Sequence, residues 1–302
     1  MLIIMEGLVN LGSTCAINSL IQILFRLNQF KEVILNSDTK EGTLTFELKD
    51  LFKSLSNNQS VSPNRFINNF YIIFKDIFNK FEQIDICELY IFIIQKIHDE
   101  TCFDIMLNKS YNNIYEEHNY KIACHNNFKN SQIYDLFQGS FMNTIECIGC
   151  GYINKTFEPF IYIGLDITEN SFISDLLSKH FTSETRLKDN WICDNCNNNC
   201  NYNKTSIIWK YPPILFISLN RFKEIIRKNL DIVNINKQLI CQKTYNLHGI
   251  GYHHGMLEGG HYNAICKNDN NFYYYDDCSV GIINDLEPLL KSNNSYLICY
   301  QY

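Results

Sequence analysis

Two Cys-x-x-Cys pairs, CIGC at Cys147 and Cys150 and CDNC at Cys193 and Cys196, constrain this chain more than any other feature. Each pair can present two thiolates from one tight turn, and two such turns make a tetrahedral four-thiolate zinc site. The pairs lie farther apart than in a compact zinc finger, so the residues between them are expected to form long strands. A redox pair is a rival reading, although it needs only one Cys-x-x-Cys on a thioredoxin-like unit. Chance pairing in a cysteine-rich chain is another. Cys200 is an extra thiol nearby that complicates the ligand count. No ligand set lacks a member, so the expectation is a structural metal and no open catalytic position.

The cysteines number 13, which is odd. No apolar run approaches the ~18 residues of a membrane span. The opening MLIIMEGLV lacks the basic start and cleavage site of a signal peptide. A cytoplasmic or nuclear location is therefore expected, where cysteine patterns mean metal binding or catalysis more often than disulfides. The net charge of −6 and pI near 5.8 give no basic footprint for nucleic acid. Neither nucleic acid nor a membrane is an expected partner. With 46% hydrophobic residues the chain reads as globular, not disordered.

Periodicity divides the chain. Ile17, Leu20, Ile21 and Leu24 recur at helix spacing, as an amphipathic helix that Ser13 or Thr14 can cap. Phe66 to Phe78 and Ile86 to Ile97 are two more helical stretches. From about Phe137 the pattern turns to strands: FQGSFMNTIECIGC, KTFEPFIYIGLDI, PPILFISLNRF, GGHYNAICK, NFYYYDD and SYLICY. Helices first and strands later make an α+β architecture.

Cys15 falls in the first turn of the first helix. Free backbone N–H groups and the positive end of the dipole favour an anion there, so a thiolate is stabilised. A small buried hydrophobe is the plainer role for such a cysteine. A base is available in GGHYNAICKNDNNFYYYDD. The NDNN turn folds a hairpin with Lys267 opposite Phe272, which sets His261 opposite Cys278 and Asp276 diagonally on the same face. Asp277 then points to the other face. Gly259 and Gly260 before His261 would allow a ligand backbone to approach closely. The order Cys, His, Asp is that of papain-like thiol proteases, with a longer Cys-to-His separation that points to a large substrate.

Together these pieces resemble the ubiquitin-specific protease family of deubiquitinases. GLVNLGSTCAINSLIQ is similar to its Cys box and GYHHGMLEGGHYNAICK…FYYYDD to its His box. EQIDICEL, FQGSFMNTIECIGC, PPILFISLNRF and SYLICY resemble further family segments in the family's order, from about Gly7 to Tyr300. The resemblance implies a papain-like cysteine protease fold with a helical thumb, a β-rich palm and zinc-ribbon β fingers. It implies one catalytic domain over 1–302, with the thumb about 1–135, the fingers with part of the palm 136–215, and the palm 216–302. It makes Cys15 the nucleophile, His261 the base, Asp276 its orienter and Asn10 the oxyanion donor. Asp85 would contact the arginine-bearing tail of ubiquitin, with Glu88 one helical turn later, while His253 and Gly255 lie in the loop over that tail. Gly260 and Tyr262, either side of His261, complete the candidate substrate-binding set. One structural zinc on Cys147, Cys150, Cys193 and Cys196, no catalytic cofactor, a monomeric state, and ubiquitin and ubiquitinated proteins as partners are implied with it. Ser13 and Ala16 replace the family's commoner Asn and Tyr, and Ile84 and Ile86 a Gln and an Ala. The substitutions around Cys15 keep open a ubiquitin-binding module without turnover; a thiol protease for a ubiquitin-like modifier is the other alternative.

Overall fold

The strand Ile214–Leu219 is buried at every position. Successive side chains of a strand point to opposite faces, so such a run fits only a sheet covered on both sides. The computed structural model describes residues 6–57, 60–80, 82–181, 184–186, 191–224, 227–256 and 259–302. In it Ile214 and Phe216 pack into a core shared with the helices of the first half. Leu215, Ile217 and Leu219 pack into a second core on the other face, under Ile173, Leu176 and Leu177 of a short helix.

The first-half helices are α1 (Cys15–Arg26), α2 (Asn28–Asn36), α3 (Leu44–Leu55), α4 (Asn64–Ile73), α5 (Ile86–Thr101), α6 (Ile114–His125) and α7 (Gln132–Phe137); the short helix under the sheet is α8 (Ile173–His180). An arm follows α7. Its strands β1 (Gly139–Cys147), β2 (Ile153–Phe160), β4 (Glu184–Arg186) and β5 (Tyr202–Lys210) form one sheet in the order β2-β1-β5-β4, with β3 (Ile163–Leu165) leaving it for the main sheet. The main sheet adds β6 (Ile214–Leu219), β7 (Gln238–Ile240), β8 (Thr244–Met256), β9 (Gly259–Asn268), β10 (Asn271–Asp276), β11 (Ser279–Ile283) and β12 (Ser295–Gln301). Its order is β11-β10-β9-β8-β12-β6-β3, with β7 beside β8. Only β6 and β3 run parallel. The turn after β9 sets Lys267 opposite Phe272, the register expected from NDNN.

Two elements depart from the sequence reading. α1 is not an amphipathic surface helix: Cys15 to Phe25 are all buried. Its polar stripe is satisfied inside the protein, Asn18 Nδ2 donating to Asp277 Oδ1 at 2.7 Å and Gln22 Nε2 to the Glu6 carbonyl at 2.8 Å. The helical stretch ending at Phe78 stops instead at Ile73. Phe74 and Phe78 leave the helix to pack edge-on against Phe92 of α5, at 5.8 and 5.3 Å between ring centroids.

Inside β8, His248 is buried and its Nε2 has no partner among the described residues. Burial pushes its pKa down to about 4, with Lys267 and Arg26 adding to the shift. Below the ordinary imidazole pKa of ~6.5 the unfolded chain binds this proton and the folded chain does not. Stability therefore falls as pH drops from ~6.5 towards 4, by up to ~1.4 kcal/mol per pH unit. His248→Gln should lose less melting temperature than the parent between pH 7 and pH 5. Equal losses in thermal melts would rule out this residue as a source of acid sensitivity.

Candidate active site

Cys15 opens α1 directly after a left-handed turn, Gly12 and Ser13 having φ of 93° and 53°. A serine there costs about 1–2 kcal/mol, which the surroundings of the loop must offset. Asn10 supplies part of that offset. Its Oδ1 accepts from the backbone N–H of Gly12 at 2.9 Å and the Thr14 hydroxyl at 3.1 Å. Its Nδ2 donates to Asp277 Oδ2 at 2.9 Å. Thr14 stands at the helix N-cap, but its hydroxyl makes no cap bond; it faces back into the loop and accepts from the Leu11 N–H at 3.0 Å.

α1 packs against β9, which carries His261. His261 Nε2 meets Asp276 Oδ1 at 2.5 Å, with both side chains partly open to solvent. Asp277, expected on the other face, lies in the same cluster, because it is a turn residue outside the strand alternation. Its φ of 52° marks the turn into β11, and its carboxylate takes N–H groups from both Asn10 and Asn18. The Cys15 thiol is buried. Burial pushes its pKa up, a backbone hydrogen bond from Tyr262 pulls against that, and Asp277 pushes it up again. The sulfur therefore sits beside the residue that follows His261, although no hydrogen bond joins Cys15 to His261 among the described residues.

The residues expected on the substrate side divide by exposure. Asp85 caps α5: Oδ1 accepts from the N–H groups of Cys87 at 2.8 Å and Glu88 at 3.0 Å, and Oδ2 accepts from the Tyr296 hydroxyl at 2.5 Å. Glu88 is exposed one turn on, and burial with the Asp85 charge raises its pKa. Gly255 is exposed and pairs with Gly260 between β8 and β9. His253 and Tyr262 are buried, their rings 4.6 Å apart. Burial, Lys228 and His254 hold His253 down to about 4. Its ring lies against Gly260, where a Cβ would also come within 2.6 Å of the His254 carbonyl. Only glycine fits there.

At the tip of the arm, one ligand atom from each of Cys147, Cys150, Cys193 and Cys196 lies within 4.8 Å of the others. Cys150 Sγ and Cys193 Sγ are 3.7 Å apart. A tetrahedral zinc with bonds of ~2.3 Å has sulfur–sulfur edges of about 3.8 Å. Asn195 Nδ2 donates to Cys150 Sγ at 3.6 Å, and that bond with the Tyr152 backbone brings the thiol down to about 6. The donor set, spacing and supporting amide all fit one zinc ion.

The family model for ubiquitin carboxyl-terminal hydrolase matches residues 6–300. The chain belongs to that family. Among the relatives of this chain, ubiquitin carboxyl-terminal hydrolase 2 of Bos taurus is 26% identical over 335 residues, aligning 98% of this chain with 55% of that protein. Ubiquitin carboxyl-terminal hydrolase 8 of Saccharomyces cerevisiae is 26% identical over 343 residues, aligning 98% with 70%. The chain thus spans little more than half the length of the bovine relative. A chain of the SAGA Ubp8/Sgf11/Sus1/Sgf73 DUB module bound to ubiquitin aldehyde shares the fold, with a TM-score of 0.78, 24% identity, and coverage of 98% of this chain and 69% of that one.

Three residues that sequence reading passed over brace the segments around the candidate site. Gln83, two residues before the cap of α5, accepts from the Gly260 N–H at 2.9 Å and donates to the Gly260 carbonyl. Arg221 is fully buried and donates to four backbone carbonyls, those of Asn229, Asp231, Ser292 and Ser295. Lys228 is buried, held down to about 8 by burial and Arg221, and donates to the His253 carbonyl and to Asn294 Oδ1. A glutamine in a loop and buried cations held by backbone carbonyls carry no periodic signal. The one hint was the place of Arg221 at the end of an otherwise apolar strand.

Proposed function

We propose that the chain is a thiol-dependent deubiquitinase that hydrolyses isopeptide and peptide bonds at the C-terminal glycine of ubiquitin. The observation that carries the reading is the His261–Asp276 pair on strands packed against the helix that begins at Cys15, in a chain of this family. Asp276 takes the Nε2–H of His261, so Nδ1 is the nitrogen free to accept the thiol proton. The thiol's raised pKa makes that transfer necessary for attack on the glycine carbonyl carbon. Negative charge then develops on the carbonyl oxygen. The second N–H of the Asn10 amide, the other being held by Asp277, donates to it, worth ~3–4 kcal/mol. His261 returns its proton to the leaving amine, and the thioester left on Cys15 is cleaved by water with His261 as base.

Asp85 and Glu88 would receive the tail's arginine side chains, and the exposed Gly255 would lie along its glycines. A zinc on the four cysteines would crosslink the finger tip and take no part in bond cleavage. A ubiquitin probe with a C-terminal electrophile should form one adduct, on Cys15. Failure to label well-folded protein would overturn the proposal, and stronger labelling by a probe built on another modifier would reassign the substrate. A second reading, ubiquitin binding without turnover, draws on Ser13 and Ala16, the substitutions beside Cys15. Measurable ubiquitin binding with no cleavage at high enzyme concentration would select it.

A further inference from the structure

The finger tip holds five thiols where a tetrahedral metal needs four. Cys196 Sγ and Cys200 Sγ are 3.9 Å apart. Cys200 is also seated against the first pair. A methyl group on Gly149 would come within 2.7 Å of Cys200 Sγ and 3.7 Å of Cys147 Sγ, so the bare glycine makes the space that this sulfur fills. The backbone keeps it there. Ile148 N–H donates to the Asn201 carbonyl at 3.0 Å, and Cys193 N–H donates to the Asn198 carbonyl at 3.1 Å. Both turns of the metal site are thereby tied to the segment that carries Cys200. Cys147 and Cys193 are buried and Cys150 is exposed, whereas Cys196 and Cys200, the pair 3.9 Å apart, are both partly open to solvent. A small oxidant can reach the fourth ligand and the surplus thiol together.

We propose that Cys200 is the resolving thiol of the finger-tip metal site, which makes zinc retention sensitive to hydrogen peroxide. The Cys196 thiolate attacks peroxide; an S–O bond forms, the O–O bond breaks and hydroxide leaves. Cys200 sulfur then attacks Cys196 sulfur; the S–S bond forms, the S–O bond breaks, and the departing hydroxide takes the Cys200 proton to become water. Two thiols are oxidised and one peroxide is reduced to two waters, one of them after the first hydroxide picks up a solvent proton. The sulfurs must close from 3.9 Å to ~2.05 Å, which side-chain rotation in a turn outside any helix permits. The disulfide removes Cys196 from the metal, and a site left with three thiolates releases zinc. The inference rests on the zinc reading alone and is independent of hydrolytic activity.

The test follows zinc release with a chelating dye at graded hydrogen peroxide, with disulfide mapping of alkylated peptides. The parent chain should release zinc as a Cys196–Cys200 linked peptide appears, and a dithiol reductant with added zinc should reverse both. Cys200→Ser should hold about one zinc per chain in reducing buffer and release it roughly tenfold more slowly under peroxide, because the sulfenic acid then has only the three zinc-held ligand thiols beside it and no spare one. Equal release rates in the two proteins would overturn the proposal. So would a Cys150–Cys193 disulfide in place of Cys196–Cys200, or loss of zinc from Cys200→Ser in reducing buffer, which would make Cys200 a ligand.

Discussion

Cys15→Ala is expected to lower kcat/KM on a fluorogenic ubiquitin C-terminal substrate by about 10⁴–10⁶-fold. Ubiquitin affinity should stay within about threefold, since the thiol is buried and a methyl side chain keeps the start of α1 packed. The size of the effect follows from what the site lacks without sulfur. Asn10, His261 and Asp276 would still polarise the carbonyl and hold a base, but alanine leaves no sulfur beside the Tyr262 amide to attack. Asp276→Ala should cost less, about 10²–10⁴-fold, because it removes the partner that orients the imidazole and not the nucleophile. Steady-state kinetics with calorimetric binding checks both. Residual turnover above one part in a hundred in the Cys15→Ala protein would move the nucleophile elsewhere.

The hairpin that carries His261 and Asp276 was legible because its register depends on local chemistry: a polar turn between two alternating strands admits few pairings. The start of α1 was legible for the same reason. The side-chain partners were not. Thr14 looks like an N-cap by residue type, yet Asn10 draws its hydroxyl into the loop instead. Asn10 reads as a turn residue, and only the folded chain brings Asp277 to it from the far end of the sequence. His253 and Tyr262 sit in the right motif for substrate contact, but both rings are buried and packed on each other, and the His253 ring lies against Gly260. α1 shows the general limit. Periodicity reported an apolar face, and could not report that the polar face is buried as well, since its partners Glu6 and Asp277 come from separate parts of the chain.

Stripping the metal is expected to unfold the finger tip while the main sheet stays folded. Cys147 and Cys193 are fully buried there, but Ile148, Ile153 and Ile192 are exposed, so beyond the Trp191–Tyr202 ring pair the interior of the tip is made mainly of thiols. Four thiolates at 3.7 to 4.8 Å repel one another unless a cation sits between them. A structural zinc contributes on the order of 10 kcal/mol to small zinc fingers, far more than the few backbone hydrogen bonds of two turns can replace at ~1 kcal/mol each. The base of the arm is different. Phe141 stacks on Phe160 at 4.3 Å and Trp209 packs on Phe157 at 5.6 Å, which anchors β1, β2 and β5 without the metal. A strong chelator should therefore release about one zinc per chain and abolish amide-exchange protection over 147–153 and 191–202. Protection in β6 and β12, buried on both faces, should remain. Cys193→Ser should give the same pattern without chelator and a lower melting temperature. Unchanged protection at the tip after chelation, or freshly purified protein without zinc, would remove the metal from the account of how the arm holds its shape.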